Sequence, residues 1–175
     1  MKNSVLKYGS YSGILSAAFM AITMHFMSQI GFGRAEYVGY VGMFLSFTPV
    51  YFGIRSYRDG IEGGTINFGK AFIAGILMAG ISSLFYVIAW LIIYYNFTPN
   101  FMDEYSNYML GKMQASGATK EALDKATAEM VKFREYYKNP LFNAAITFTE
   151  PLPVALLICI LSAFMLKKKA APANQ

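Results

Sequence analysis

Glu150 stands directly before Pro151 and two residues before Pro153, in the stretch TFTEPLP (147–153). That stretch interrupts a run from Leu141 to Leu166 that is otherwise long and apolar enough to cross a bilayer. A carboxylate inside a span costs about 2.5–3.5 kcal/mol even on the milder insertion scales, so an acid there is a candidate functional group. Each proline lacks an N–H, which frees carbonyls about one turn upstream, near Thr147 and Thr149. Threonine hydroxyls, water or a neighbouring helix can satisfy those carbonyls again.

The chain has one histidine, His25, also inside an apolar run. Counted from the outer ends of their runs, His25 and Glu150 fall roughly 9 and 14 Å deep at 1.5 Å per residue, within side-chain reach in depth. Thr48 beside Pro49, and Tyr86, fall near the same level. The expected arrangement is an intramembrane polar cluster of Glu150, His25, Thr48 and Tyr86, with helix breaks at Pro49, Pro151 and Pro153. Glu150 is expected to be protonated or paired with His25. Such a cluster could relay protons or touch a substrate. It could also be a structural knot, and with no second carboxylate and no buried lysine in the runs, that reading leads.

Other chemistry is excluded by composition. One histidine and one cysteine, Cys159, cannot build a Cys/His zinc site or an intramolecular disulfide framework. Met20, Met24 and Met27 flank His25, and soft thioethers suit Cu(I), yet methionine is also an ordinary filler of apolar contacts. Gly64 to Lys70 matches the phosphate loop up to its last position, where Ala71 replaces the Ser or Thr that would hold magnesium. No Ser/His/Asp or Cys/His set can be assembled. The sequence therefore predicts no enzyme, no metal, no cofactor and no nucleotide. The formal charge of +5 does not indicate nucleic acid, because the basic residues cluster at the ends of apolar runs, where they orient a membrane protein.

The elements that must position these groups follow from the charge-free runs. The chain is 55% hydrophobic and 14% charged, against about 45–50% and about 25% in soluble domains, so a membrane domain is expected. Four transmembrane helices are predicted over about 8–31, 37–54, 71–95 and 141–166, forming one all-α domain over 1–175. Eight basic residues, at Lys2 and Lys7, at Arg55, Arg58 and Lys70, and at Lys167 to Lys169, fall on one side, against Arg34 on the other. Both termini are therefore expected in the cytoplasm. The first run is too long for a cleaved signal peptide, and is expected to stay. Trp90, Tyr94 and Tyr95 fit an interfacial aromatic belt on the outer side.

The loop over 96–140 reads as an extracytoplasmic amphipathic helical hairpin broken at Ser116-Gly117, with Thr119 as an N-cap. Its apolar stripes could pack on each other or dock a partner. Small residues recur every fourth position at Gly9, Gly13, Ala17 and Ala21, and again at Ala71, Gly75, Ala79 and Ser83. Such ridges let helices approach closely in lipid, within one bundle or in a homo-oligomer. The first ridge leads on to His25 and so predicts that it is buried in protein. Residues 170–175 are small and polar and are expected to be disordered.

The segments YFGIRSYRD (51–59), GGTINFGKAF (63–72), FMDEYSNYM (101–109) and KNPLFNAAITFTEPLPVALL (138–157) resemble the domain-of-unknown-function 4199 family, small integral membrane proteins found mainly in Bacteroidota. The resemblance runs from about Lys7 to Lys169. It implies four spans, a bacterial cytoplasmic (inner) membrane and a helical loop between spans three and four, but no established activity or ligand. The function expected is that of a non-enzymatic, multi-pass structural or accessory partner of an inner-membrane complex. The alternative is a small oligomeric proton-linked transporter or channel using Glu150 and His25.

Overall fold

A computed structural model describes residues 1–60 and 62–168. The expected disordered tail, 170–175, and Lys169 lie outside the described residues. Among the described residues the chain is all helical, with no strand. In order, the helices are α1 (Lys2–His25), α2 (Met27–Ile30), α3 (Phe32–Ser46), α4 (Thr48–Gly60), α5 (Phe68–Asn96), α6 (Phe101–Ala115), α7 (Lys120–Tyr137), α8 (Pro140–Thr149) and α9 (Leu152–Leu166).

Three helical stretches are long and apolar enough to cross a membrane: Phe32–Gly60, which is α3 and α4 together, Phe68–Asn96, and Pro140–Leu166, which is α8 and α9 together. The first expected span differs. Helix α1 has the length, 24 residues, but buries Ser12, Ser16 and Thr23 among its inward side chains. These polar groups dilute its apolar character: Ser12 and Ser16 meet Ser82 of α5, and the Thr23 hydroxyl donates to the Phe19 carbonyl of its own helix.

The central element is α5, which α1 covers most extensively and which also packs on α4, α8 and α9. It starts where Asn67 caps it, the side chain accepting from Lys70 N–H at 2.8 Å. The loop that resembled a phosphate site is therefore a helix start. Beside it, Ile66 and Lys168 exchange backbone hydrogen bonds at 3.0 and 2.9 Å, tying the loop to the end of α9.

Contacts fix the helix directions. Gly9 of α1 meets Ile81 and Gly13 meets Phe85, so α1 and α5 run parallel. Gly42 meets Phe19 and Gly53 meets Tyr8, so α3 and α4 run against α1. Phe68 packs on Phe164 and Gly75 on Cys159, so α9 runs against α5.

Close approach depends on the small residues. A Cβ on Gly13 would sit 2.6 Å from Phe85 Cγ, closer than carbon atoms pack. All four residues of the α5 ridge, Ala71, Gly75, Ala79 and Ser83, are buried. The α1 ridge holds only for its first half: Gly9 and Gly13 are buried, Ala17 is half-buried and Ala21 is exposed. Four residues turn a helix about 400°, so an every-fourth-residue row drifts about 40° per step around the axis. The buried face of α1 follows the axis instead, through Val5, Gly9, Ser12, Ser16, Met20 and Thr23.

Both breaks are sealed by hydroxyls. At the α3–α4 break the Val50 N–H turns to the Phe47 carbonyl, and the freed Ser46 carbonyl accepts from the Ser12 hydroxyl at 2.7 Å. Ser12 also pairs with Ser82 at 2.9 Å, joining α1, α3 and α5 in one buried contact. At the α8–α9 break the Glu150 N–H reaches the Thr147 carbonyl, and the Thr149 hydroxyl donates to the Ile146 carbonyl at 2.6 Å. Only Thr149 takes a backbone carbonyl; the Thr147 hydroxyl donates to the Asn143 side chain instead.

Helices α6 and α7 are joined through Ser116-Gly117, where Gly117 has a φ of +83° that only glycine adopts readily. Thr119 caps α7 by accepting from the Ala122 N–H. The two helices pack on each other, with Arg134 of α7 paired to Asp103 of α6.

Candidate ligand cavity

Glu150 sits in the break between α8 and α9. Its Oε2 accepts from the Tyr86 hydroxyl of α5 at 2.9 Å. No other hydrogen bond reaches this carboxylate among the described residues. The side chain is exposed and faces a cavity of about 530 Å3 lined by α1, α2, α3, α5 and α6 and by Tyr137 of α7. That volume is within the range of small-molecule sites, about 300–1,000 Å3. Inside it, Tyr86, Trp90 and Glu150 mark one wall and Met20 and Met24 of α1 another. Phe101, Tyr105, Tyr108 and Met109 of α6 cover it. Glu36 and Lys112, both exposed, are the remaining charged groups on its lining.

The cover is held by aromatic packing. Phe32, at the start of α3, stacks on Tyr108 at 5.5 Å and lies 5.7 Å from Phe101 and 5.9 Å from Tyr105. Burial, together with the Glu36 and Glu150 carboxylates, pushes the Tyr105 phenol above its ordinary range.

Behind the cavity wall lies a buried polar network. The Trp90 indole N–H lies 2.9 Å from the Tyr137 hydroxyl and 3.0 Å from Asn143 Oδ1, donating to both. The Thr147 hydroxyl donates to the same Oδ1 at 3.2 Å. Asn143 Nδ2 is buried without a hydrogen-bond partner among the described residues. Asn143 and Tyr137 were not among the expected site residues. The signal existed: Asn143, Thr147 and Glu150 stand four and then three residues apart, one stripe of a helix.

Of the expected cluster, then, Tyr86 and Glu150 meet. His25 and Thr48 do not join them. Thr48 is exposed at the first turn of α4, with Pro49 half-buried beside it, while Pro151 is buried and Pro153 exposed at the α8–α9 break. His25 is exposed and packs edge-on against Phe26 at 4.8 Å. Two geometric causes separate it from Glu150. Sixteen residues beyond Gly9, it has rotated about 160° from the packed face. It also stands twelve residues, about 18 Å along the axis, beyond Gly13, which abuts the neighbour of Tyr86.

The expected aromatic belt is also placed differently. Trp90 and Tyr94 are buried, packed with Phe101 and Tyr137, because α6 and α7 fold back over the end of α5. Only Tyr95 of the three is exposed. Of the methionines near His25, Met20, Met24 and Met27 all line the cavity. No group of three His, Cys, Asp or Glu side chains suited to a metal occurs among the described residues.

Residues 7–168 match the family described as protein of unknown function, DUF4199. The chain belongs to that family. The match takes in every helix that lines the cavity, the loop that caps α5 and the acid-proline break. No curated protein and no solved structure matches the chain.

Proposed function

We propose that this chain is a four-span, non-enzymatic membrane protein that binds a small ligand at Glu150. The observation that carries this reading is the Glu150 carboxylate, held by Tyr86 and otherwise facing a cavity of about 530 Å3. An acid kept at a helix break within an apolar stretch and open to a cavity suits ligand contact better than a purely structural knot, whose polar groups would be paired off.

The membrane reading is supported by what α5 exposes: Ile73, Leu77, Leu84, Ile88 and Ile92 form one apolar stripe on its outer side. A face this apolar needs lipid or protein against it. Helix α1 is the fourth span in this reading, since it runs parallel to α5 and along most of its length. With the cytoplasmic basic residues at Lys2, Lys7, Arg55, Arg58 and Lys70, both termini face the cytoplasm and the α6–α7 pair forms an extracytoplasmic hairpin. The setting is the bacterial inner membrane. The non-enzymatic reading is supported by the distance of His25, the only histidine, from Glu150.

Two uses of the site fit. As a carrier, Glu150 and Tyr86 would be the protonation-coupled pair, in place of Glu150 and His25. As an accessory subunit, the chain would present its ligand state to a larger complex. Exposed Val131, Tyr136 and Leu141 on and beside α7 favour that second use as a docking surface. Purification in mild detergent from native membranes separates them. A stoichiometric partner supports the accessory role. A homogeneous oligomer without a partner supports the carrier, and solute flux in liposomes should then fall when Glu150→Gln is introduced. Reporter fusions near Gly117 and at Gln175 test the orientation, and an extracytoplasmic C-terminus would overturn it.

A further inference from the structure

Resting on the ligand-binding reading above, we infer that the cavity selects an organic cation: an ammonium or similar onium group carried on an apolar body. Charge is the first ground. The lining has two carboxylates, Glu150 and Glu36, against one ammonium, Lys112. Lys112 is exposed on the covering helix, where its long chain can keep its head in water. Glu150 is fixed instead: Tyr86 holds one of its oxygens, and its exposed side chain faces the cavity. An anionic ligand would bring a second negative charge beside a carboxylate that has no ion-pair partner among the described residues. A cationic ligand supplies the missing partner and offsets the cost of charge at that depth.

The walls agree with the charge. Tyr86, Trp90, Tyr105 and Tyr108 bring aromatic rings to the same space, and ring faces attract onium groups, most strongly where water is excluded. Methionines from three helices, Met24, Met43 and Met109, add flexible, polarizable surface that adapts to an apolar body. Hydrogen-bond groups able to read a polar scaffold, such as a sugar, are few beyond the phenols. Glu150 takes the onium head, the Tyr86 hydroxyl fixes the carboxylate, and the aromatic and thioether walls take the rest.

The chain carries its own reporter. Its one tryptophan is Trp90, on the cavity wall. The full chain, purified in neutral detergent, is titrated with tetraphenylphosphonium and separately with tetraphenylborate, ions of the same shape and opposite charge. The expected result is a saturable change in Trp90 emission with the phosphonium ion, at an affinity about tenfold or more above that of the borate. Glu150→Gln should remove that preference. If the variant is not monodisperse, the wild-type comparison of the two ions decides alone. Equal affinity for the two ions, or an undiminished preference in folded Glu150→Gln, overturns cation selection while leaving a ligand cavity. No response to either ion overturns the ligand-binding reading as well. Repeating the titration in nanodiscs distinguishes the sources of the cation. Competition by phosphatidylethanolamine but not by phosphatidylglycerol assigns the onium group to a lipid headgroup. Equal phosphonium binding in both assigns it to a soluble compound.

Discussion

The Tyr86 hydroxyl donates to Oε2 of Glu150 at 2.9 Å, joining the middle of α5 to the break between α8 and α9. A hydrogen bond to a charged acceptor contributes about 1.5–3 kcal/mol, and about 1 kcal/mol when the acceptor is neutral. Tyr86→Phe should therefore lower the melting temperature in detergent, and Glu150→Gln, which keeps an acceptor oxygen, should lower it less. Equal melting of wild type and Tyr86→Phe would show that the bond contributes nothing.

Close packing of α1 on α5 should outweigh the serine contact beside it. Gly13→Leu would force side-chain atoms into Phe85, whose own Cβ lies 2.7 Å from the position of the first added carbon and cannot swing aside. The expected loss is at the upper end of the about 1–3 kcal/mol typical of overpacking. Ser12→Ala removes the donor to the Ser46 carbonyl, and hydrogen bonds between helices in membranes average only about 0.6 kcal/mol. Thermal melts of the two variants rank them, and a larger effect at Ser12 would contradict this packing.

Asn143 accepts from both Trp90 and Thr147 in a fully buried position. Asn143→Leu leaves the indole N–H with Tyr137 alone and strips the Thr147 hydroxyl of its best acceptor. A cost of about 1–3 kcal/mol is expected, with a blue shift of Trp90 emission as the indole loses a polar neighbour. An unchanged emission maximum would separate Trp90 from this network.

At the other end of the bundle, Glu62 accepts from Lys70 Nζ at 2.7 Å and from the Tyr57 hydroxyl at 2.8 Å. The Lys70 hydrogen bond first, and then that of Tyr57, hold the Glu62 carboxyl below the usual carboxylate range. A depressed folded-state value means that the stabilisation is present above the unfolded value of about 4.3 and is lost as pH falls through the folded one. The melting difference between wild type and Glu62→Gln should be constant near neutral pH and shrink in acid. A difference that grows in acid would reverse the sign and reject the assignment.

Much of this protein is determined by local pattern. Charge-free apolar runs bounded by lysine and arginine mark where the long helices lie, three of them apolar enough to cross a membrane. Thr119 and Gly117 specify where α7 begins and how the chain reaches it. The proline pair at 151 and 153 specifies the break that carries Glu150, because two missing N–H groups cannot be hidden in a regular helix.

Tertiary structure decided the partners. Depth alone pairs His25 with Glu150, but depth is one coordinate. Rotation about the axis of α1 and the register of α1 on α5 turn His25 outward and leave Tyr86 as the residue in reach. Trp90 and Tyr94 read as a lipid-facing belt until α6 and α7 fold back over them. The cavity has no local signature, since its walls join the first three helices to α5, α6, α7 and the α8–α9 break. A helix specifies which residues share its face; only the packing of faces decides what each of them meets.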